Sequence, residues 1–130
     1  MSDDLLTGLH PTLIKRIQHL LKGMRALGFP VRMTDGLRSD ARQAELYAQG
    51  RDAPGSIVTN CDGVTHRSRH QTQVDGYGHA VDCCFDSETP YEGPWALYGA
   101  AGEALGLVWG GRFTKLQDRP HLELPVTEAD

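Results

Sequence analysis

Cysteine is scarce in this 130-residue chain, and its three cysteines do not form a metal-binding or redox pattern. Cys61, Cys83 and Cys84 are odd in number, two of them are neighbours, and none belongs to a CxxC motif. The sequence therefore favours small apolar fillers in a reducing compartment over a disulfide framework.

Excess positive charge and long apolar runs are also lacking. Lys and Arg number 13 against 17 Asp and Glu, which gives a net charge of -4 and disfavours nucleic acid as a partner. No stretch approaches the ~20 apolar residues that cross a membrane. Residues 1–6 are acidic, where a signal peptide would be basic and then apolar. We expect a product made in the cytoplasm, without a membrane partner, which needs release by another protein to reach a substrate outside.

No repeat, low-complexity tract or linker divides the chain, so residues 1–130 are predicted to form a single domain with one core. Apolar residues at helical spacing predict a helix over residues 11–27, with Pro11 in its first turn. Ser39 is a suitable N-cap for a second helix through residue 49, and a third is predicted over residues 94–105.

Short strands and one long loop complete the predicted elements. The strands are expected at residues 29–34, 57–59, 78–85, 107–109 and 121–124, and the loop at residues 60–78. Helices and strands in mixed order indicate the α+β class, a small, mostly antiparallel sheet with helices packed around it. Such a sheet allows Asp82 and His121 to project from adjacent strands toward one point.

Two histidines and two aspartates form the most informative set of polar residues. His70 and His121 offer imidazoles, Asp82 offers a carboxylate, and Asp118 is a further acid just before His121. Zinc in hydrolytic sites is held by three nitrogen or oxygen ligands with one position left to water, and a carboxylate that does not bind the metal can move the proton of that water. This set favours a zinc-dependent peptidase.

Each of these residues also has a structural interpretation. A segment such as residues 118–121 is common in surface turns, and an edge strand would expose Asp82 to water. A loop histidine such as His70 is often plain surface, and so is His66. Arg38 can stabilise an oxyanion, but an isolated arginine is more commonly a surface residue.

Five segments in order resemble the M15 metallopeptidases, the family of D-alanyl-D-alanine carboxypeptidases and of phage endolysins that cleave L-alanyl-D-glutamate bonds. The resemblance covers most of the chain. Its segments are DGLRS at 35–39 with QAELYAQGR at 43–51, VTN at 58–60, SRH at 68–70, GHAVD at 78–82, and WGG at 109–111 leading to DRPHLEL at 118–124. Any one of them is weak evidence, but the ordered set is specific.

The resemblance implies a role for each candidate residue. His70, Asp82 and His121 are the implied ligands of one Zn²⁺ per chain. Asp118 matches the family's catalytic acid/base, which accepts a proton from the activated water and passes it to the leaving amine. Arg38 matches the arginine that steadies the substrate carbonyl and its oxyanion. Substrate-binding residues are not placed by the resemblance.

The spacing before strand residues 78–85 departs from the family pattern. The family has two residues between its first His and the following Gly, whereas residues 71–77 intervene here, an insertion of five. Alignment without a gap would put Asp75 at the ligand position. His70 is preferred because the Ser-x-His unit is intact, and His66 is its main alternative.

The family acts on peptidoglycan stem peptides, and a compact catalytic domain resembles a phage lysis enzyme that waits for a pore-forming holin. The resemblance therefore favours a monomeric, bacteriolytic L-Ala–D-Glu endopeptidase that acts on the cell wall after release. A D-Ala–D-Ala carboxypeptidase is the alternative. A non-catalytic wall-binding zinc domain and a Cys-His hydrolase using Cys83 or Cys84 are retained as other classes.

Overall fold

The computed structural model describes residues 3–126, which form three α-helices and a four-stranded antiparallel sheet. The helices are α1 (Pro11–Ala26), α2 (Asp40–Ala48) and α3 (Trp95–Ala104); the strands are β1 (Val31–Asp35), β2 (Ala80–Phe85), β3 (Val108–Trp109) and β4 (His121–Glu123). Short 3-10 helices occur at Asp3–Leu6 and Gly110–Arg112. The predicted α+β class is confirmed. Residues 1, 2 and 127–130 of the predicted domain lie outside the described residues.

Helix α1 packs its apolar stripe into the core, as the spacing predicts. Leu13, Ile17, Leu20 and Met24 are at most 1% exposed. They join a cluster that includes residues of β2, α3 and β4. Helix α1 ends where the sequence indicates, because Gly28 has a φ of 91°, a conformation that residues with a Cβ rarely adopt.

Strand β2 is an interior strand, since the order across the sheet is β1-β2-β4-β3. Asp82 pairs with His121 of β4 on one side and with Asp35 of β1 on the other, beside a bulge that begins at Met33. The edge-strand interpretation of Asp82 is therefore wrong. The antiparallel register places its carboxylate next to the His121 imidazole, which is the geometry that strand alternation allows.

The predicted strand at residues 57–59 is wrong. Its apolar side chains are 45% and 50% exposed, and the segment lacks regular structure. The polar groups of this segment form hydrogen bonds with side chains and loop backbone instead of with a neighbouring strand. Arg51 donates to the Thr59 carbonyl, and the Cys61 N–H donates to the Thr59 hydroxyl. The long loop predicted at residues 60–78 is confirmed, with neither helix nor strand in it.

Residues 71–77, which separate His70 from β2, are anchored through Asp75. Its carboxylate accepts hydrogen bonds from His79 Nε2, at 2.7 and 2.9 Å, and from the Tyr77 N–H at 3.0 Å. The insertion therefore returns to the sheet by a defined path.

Over residues 3–126, no helix combines the length and apolarity that a bilayer crossing requires.

Candidate active site

Three side chains from separate parts of the chain converge at one point. His70 comes from the long loop, Asp82 from β2 and His121 from β4. Their nearest ligand atoms all lie within 4.8 Å of one another. Asp82 Oδ1 is 3.3 Å from His70 Nε2 and 3.4 Å from His121 Nδ1. We call these three residues the ligand cluster.

The ligand cluster leaves two buried polar atoms without a hydrogen bond. Within residues 3–126, neither His70 Nε2 nor Asp82 Oδ1 has a hydrogen-bond partner, although both are shielded from solvent. Buried atoms of this kind destabilise a fold unless something binds them. Two imidazole nitrogens and a carboxylate oxygen are ligands that zinc takes in hydrolytic sites. The residues present therefore fit a zinc ion.

Hydrogen bonds hold the outer nitrogen of each imidazole. His70 Nδ1 lies 2.9 Å from the Gly36 carbonyl oxygen, and His121 Nε2 lies 2.7 Å from Glu123 Oε1. A carbonyl and a carboxylate only accept, so both outer nitrogens carry a proton and donate. This orients each ring with its inner nitrogen toward the ligand cluster, the arrangement that tunes metal-bound histidines.

The carboxylate and the imidazole rings of the ligand cluster stabilise each other's charged forms and so shift each other's pKa values. Burial raises the pKa of the Asp82 carboxyl, but the adjacent His121 and His70 rings outweigh it and hold that pKa well below its usual range. Burial lowers the pKa of His121, but the Asp82 and Glu123 carboxylates raise it to about 10. Without metal the His121 ring is therefore protonated at neutral pH, and a metal must displace that proton.

Asp118 lies beside the ligand cluster but is not part of it. Its Oδ2 is 3.8 Å from His121 Nδ1, and its side chain is 45% exposed. Its N–H donates to the Gly110 carbonyl, which fixes the turn before β4. Burial and the negative charge of Asp82 raise the pKa of Asp118. A raised carboxyl pKa suits a group that accepts and returns a proton near neutral pH.

Arg38 is held next to the ligand cluster, so its interpretation as a surface residue is wrong. Its side chain is 11% exposed, and Nη2 lies 3.8 Å from Asp82 Oδ2. Nη2 donates to Asp35 Oδ2 at 2.6 Å and Nη1 donates to Gln43 Oε1 at 2.9 Å. A guanidinium fixed in this way can stabilise negative charge that develops on a substrate carbonyl.

These groups open into a cleft of about 930 Å³. One part of its lining is residues 57–61, and another is residues 112–118. The volume lies toward the upper end of the range for ligand pockets, which suits a peptide better than a single small metabolite.

The alternatives to His70 lie elsewhere. His66 is exposed and its ring contacts Thr65. Asp75 pairs with the buried His79 and does not join the ligand cluster. The structure therefore brings His70, and neither alternative, to Asp82.

The alternative hypothesis of a Cys-His hydrolase is wrong. Cys83 and Cys84 are both fully buried. Burial raises the pKa of the Cys83 thiol to about 12, so the reactive thiolate is not formed at neutral pH.

Three residues of the site were not singled out from the sequence. The sequence contains a signal that could have identified Glu123, because strand alternation places it on the same side of β4 as His121. No comparable sequence signal identifies Asp35 or Gln43, apart from their place in the segments that resemble M15 enzymes. A fully buried glutamine that joins Arg38 to the Cys61 carbonyl is a tertiary feature.

Comparison with known proteins identifies the family. A family model described as D-alanyl-D-alanine carboxypeptidase matches residues 62–124, which include the ligand cluster and Asp118. The chain is 32% identical over 123 residues to the peptidoglycan L-alanyl-D-glutamate endopeptidase CwlK of Bacillus subtilis (strain 168), across 89% of this chain and 73% of that protein. The chain belongs to the M15 peptidases. It is a metallopeptidase, and M15 peptidases are zinc-dependent.

Solved structures agree with this M15 assignment. The L-Ala D-Glu endopeptidase ChiX of Serratia marcescens has a TM-score of 0.64 and 29% identity, over 98% of this chain and 89% of that one. The D,D-pentapeptidase VanY, solved as a mutant with Zn(II), has a TM-score of 0.61 over 93% of this chain and 75% of its own. Its 16% identity supports a shared fold alone.

Proposed function

We propose that this M15 metallopeptidase is a zinc-dependent endopeptidase that cleaves the L-Ala–D-Glu bond of peptidoglycan stem peptides. The observation that carries the proposal is the ligand cluster of His70, Asp82 and His121, whose unpartnered atoms face one point beside Asp118 and Arg38. The choice of bond is supported by two relatives named as L-Ala–D-Glu endopeptidases, at 32% and 29% identity.

The ligand cluster would hold one zinc ion per chain. Zinc in such a site supplies Lewis-acid chemistry, which polarises a carbonyl and makes water nucleophilic at neutral pH. The outer hydrogen bonds to Gly36 and Glu123 keep His70 and His121 oriented for this ion.

Asp118 and Arg38 perform the steps that the protein itself contributes. Asp118 accepts the proton of the attacking water and then donates it to the nitrogen of the leaving D-Glu, so that the amide C–N bond breaks with a neutral amine. Arg38 donates hydrogen bonds to the substrate oxygen as negative charge develops on it. Asp35 and Gln43 hold the guanidinium in place beforehand, so little reorganisation is needed during the reaction.

D-Ala–D-Ala carboxypeptidase activity is the second candidate. It is favoured by the description of the family model that matches residues 62–124. Both reactions use the same ligand cluster, acid/base and arginine, so the distinction depends on which part of a stem peptide the cleft binds. A non-catalytic wall-binding zinc domain is less well supported, because such a domain needs neither Asp118 nor Arg38.

Digestion of purified peptidoglycan by the zinc-loaded protein, followed by mass spectrometry, tests the proposal. New D-Glu amino termini are expected, and chelation of the metal should abolish them. Free D-Ala without new D-Glu termini would support the carboxypeptidase instead. The absence of any product from walls of different cross-link chemistry would reject both activities and leave the binding domain.

We also propose a route by which the protein reaches the bacterial cell wall. We expect synthesis in the cytoplasm, action as a monomer and release by a phage holin. Expression with and without a holin, followed by measurement of culture lysis, tests it. Lysis without the holin, in cells whose membranes are intact, would contradict this route.

A further inference from the structure

One wall of the cleft, formed by residues 112–118, is fixed against the ligand cluster; we call it the 112–118 wall. The Phe113 ring lies 5.6 Å from the His121 ring. At the other end of the wall, Asp118 Oδ2 lies 3.8 Å from His121 Nδ1. The Gln117 side chain donates to the Gly111 carbonyl at 3.0 Å, which ties the wall to the preceding turn. Phe113 and Asp118 therefore lie next to the ligand cluster, and the residues between them line the same cleft.

Among the described residues, five cationic side chains line the cleft, and four of them are paired within the protein. The cations are Arg38, Arg67, Arg69, Arg112 and Lys115. The acidic partners are Asp35 for Arg38, Asp40 for Arg67, Glu123 for Arg69 and Glu103 for Arg112. Lys115 is exposed, and within residues 3–126 it makes no ion pair or hydrogen bond. It is the cleft cation whose charge is available to a ligand.

The chemistry of the proposed substrate places a negative charge near this wall. In a stem peptide the chain continues through the γ-carboxyl of D-Glu, so its α-carboxylate is free. That carboxylate is attached to the carbon that bears the leaving nitrogen, and Asp118 must contact this nitrogen to return a proton. The carboxylate therefore lies close to the 112–118 wall, where a cation of that wall can pair with it.

We propose that Lys115 binds the free α-carboxylate of D-Glu and thereby determines specificity, an inference that rests on the proposed endopeptidase function. A lysine ammonium on a flexible stem can reach a carboxylate without a fixed bidentate geometry. The four paired arginines would have to give up an existing partner to do so. Because Lys115 is exposed, its interaction is screened by water, and we expect it to contribute about three- to fivefold in kcat/KM.

The test compares two synthetic stem peptides that differ in one group. One contains D-Glu with a free α-carboxylate, and the other contains D-isoglutamine, in which that group is an amide. Zinc-loaded wild type, Lys115→Gln and Lys115→Arg are assayed on both peptides at low and high salt. Lys22→Gln, which removes the same charge from the exposed side of α1 away from the cleft, is the matched control.

Wild type and Lys22→Gln should prefer the free carboxylate, and high salt should reduce that preference. Lys115→Gln should lose about three- to fivefold on the free-carboxylate peptide and stay within about twofold on the amide. Lys115→Arg should restore the preference. An unchanged preference in Lys115→Gln, or an equal loss on both peptides, overturns the role of Lys115 while endopeptidase activity stands. If wild type releases D-Ala from longer peptides and never cleaves before D-Glu, the proposed function fails, and this inference fails with it.

Discussion

At the scale of single residues, a substitution at Asp118 tests whether proton transfer and metal binding depend on different side chains. Its carboxylate lies beside the ligand cluster without joining it. We expect Asp118→Asn to retain one zinc per chain and to lose about 10²–10⁴-fold in kcat, because the amide cannot take a proton from water. Metal content by elemental analysis and turnover of a stem peptide measure the two effects.

The exposed Asp52, which does not line the cleft, provides the control for this substitution. Asp52→Asn should keep both zinc and activity. Full activity in Asp118→Asn would rule out Asp118 as the base, and loss of zinc would make it a ligand.

Glu123 contacts His121, and through that ring it would influence a bound metal. It accepts a hydrogen bond from His121 Nε2 at 2.7 Å and lies 3.5 Å from the Arg69 guanidinium. We expect Glu123→Ala to weaken zinc binding by about 10–100-fold, because the His121 ring loses the partner that orients it. Competition with a metal-binding dye measures the affinity. Glu88→Ala, an exposed loop substitution, should leave it unchanged, and equal affinities in the two variants would contradict this role.

At the scale of elements, local signals placed the three helices and the four strands, and they also predicted a strand at residues 57–59 that does not form. The apolar stripe of α1 and the Ser39 N-cap of α2 depend on neighbours within the same segment, and both predictions are confirmed. Residues 57–59 have a strand-like composition but lack a strand partner, because side chains from other segments satisfy their polar groups. Short segments follow their tertiary contacts rather than their composition.

The turn before β4 requires a glycine at position 110. A Cβ added there would clash with the Asp118 carbonyl and come within 2.8 Å of the His121 Cβ. We expect Gly110→Ala to destabilise the fold by about 1–3 kcal/mol and to reduce activity by displacing both side chains. Urea unfolding and kcat/KM measure these effects.

Gly23 in α1 provides the matched control. A Cβ added there meets nothing within 4 Å, so Gly23→Ala should stabilise the helix by about 0.5–1 kcal/mol at full activity. If Gly110→Ala is as stable and as active as Gly23→Ala, the tight approach at position 110 is not needed.

At the scale of the whole molecule, a metal at the ligand cluster links the long loop to β2 and β4. Zinc at 100 times its Kd should stabilise the fold by about 2.7 kcal/mol, or roughly 10 °C in Tm for a domain of this size. Asp82→Asn should abolish the shift, and Asp86→Asn, at an exposed position, should preserve it.

This zinc-induced shift should also depend on pH. The pKa of His121 in the metal-free fold is raised to about 10, above the unfolded value of about 6.5. Its proton therefore stabilises the metal-free fold fully below pH 6.5, and that stabilisation is lost as pH rises through about 10. Since zinc needs the unprotonated nitrogen, the increase in Tm at fixed zinc should be larger at pH 8 than at pH 6. Scanning calorimetry at both values measures it, and equal shifts would contradict the protonated state.

The sequence by itself determined the α+β class, helix α1, the shared face of His121 and Glu123, and the M15 resemblance, because each depends on spacing along the chain. Only the tertiary structure decided between His70 and His66. The path of the long loop is set by distant contacts, those of Asp75 with His79 and of His70 with the Gly36 carbonyl, and these have no local signature.

The environment of the charged side chains also depends on contacts between distant segments, which have no local signature in the sequence. Whether an arginine is a surface residue or is held next to a reacting carbonyl depends on which segments pack around it. Arg38 is held by Asp35 and Gln43 beside Asp82, whereas Lys115 in the same cleft is exposed and unpaired among residues 3–126. Packing between segments therefore decided which charges serve the site and which one is available to a substrate.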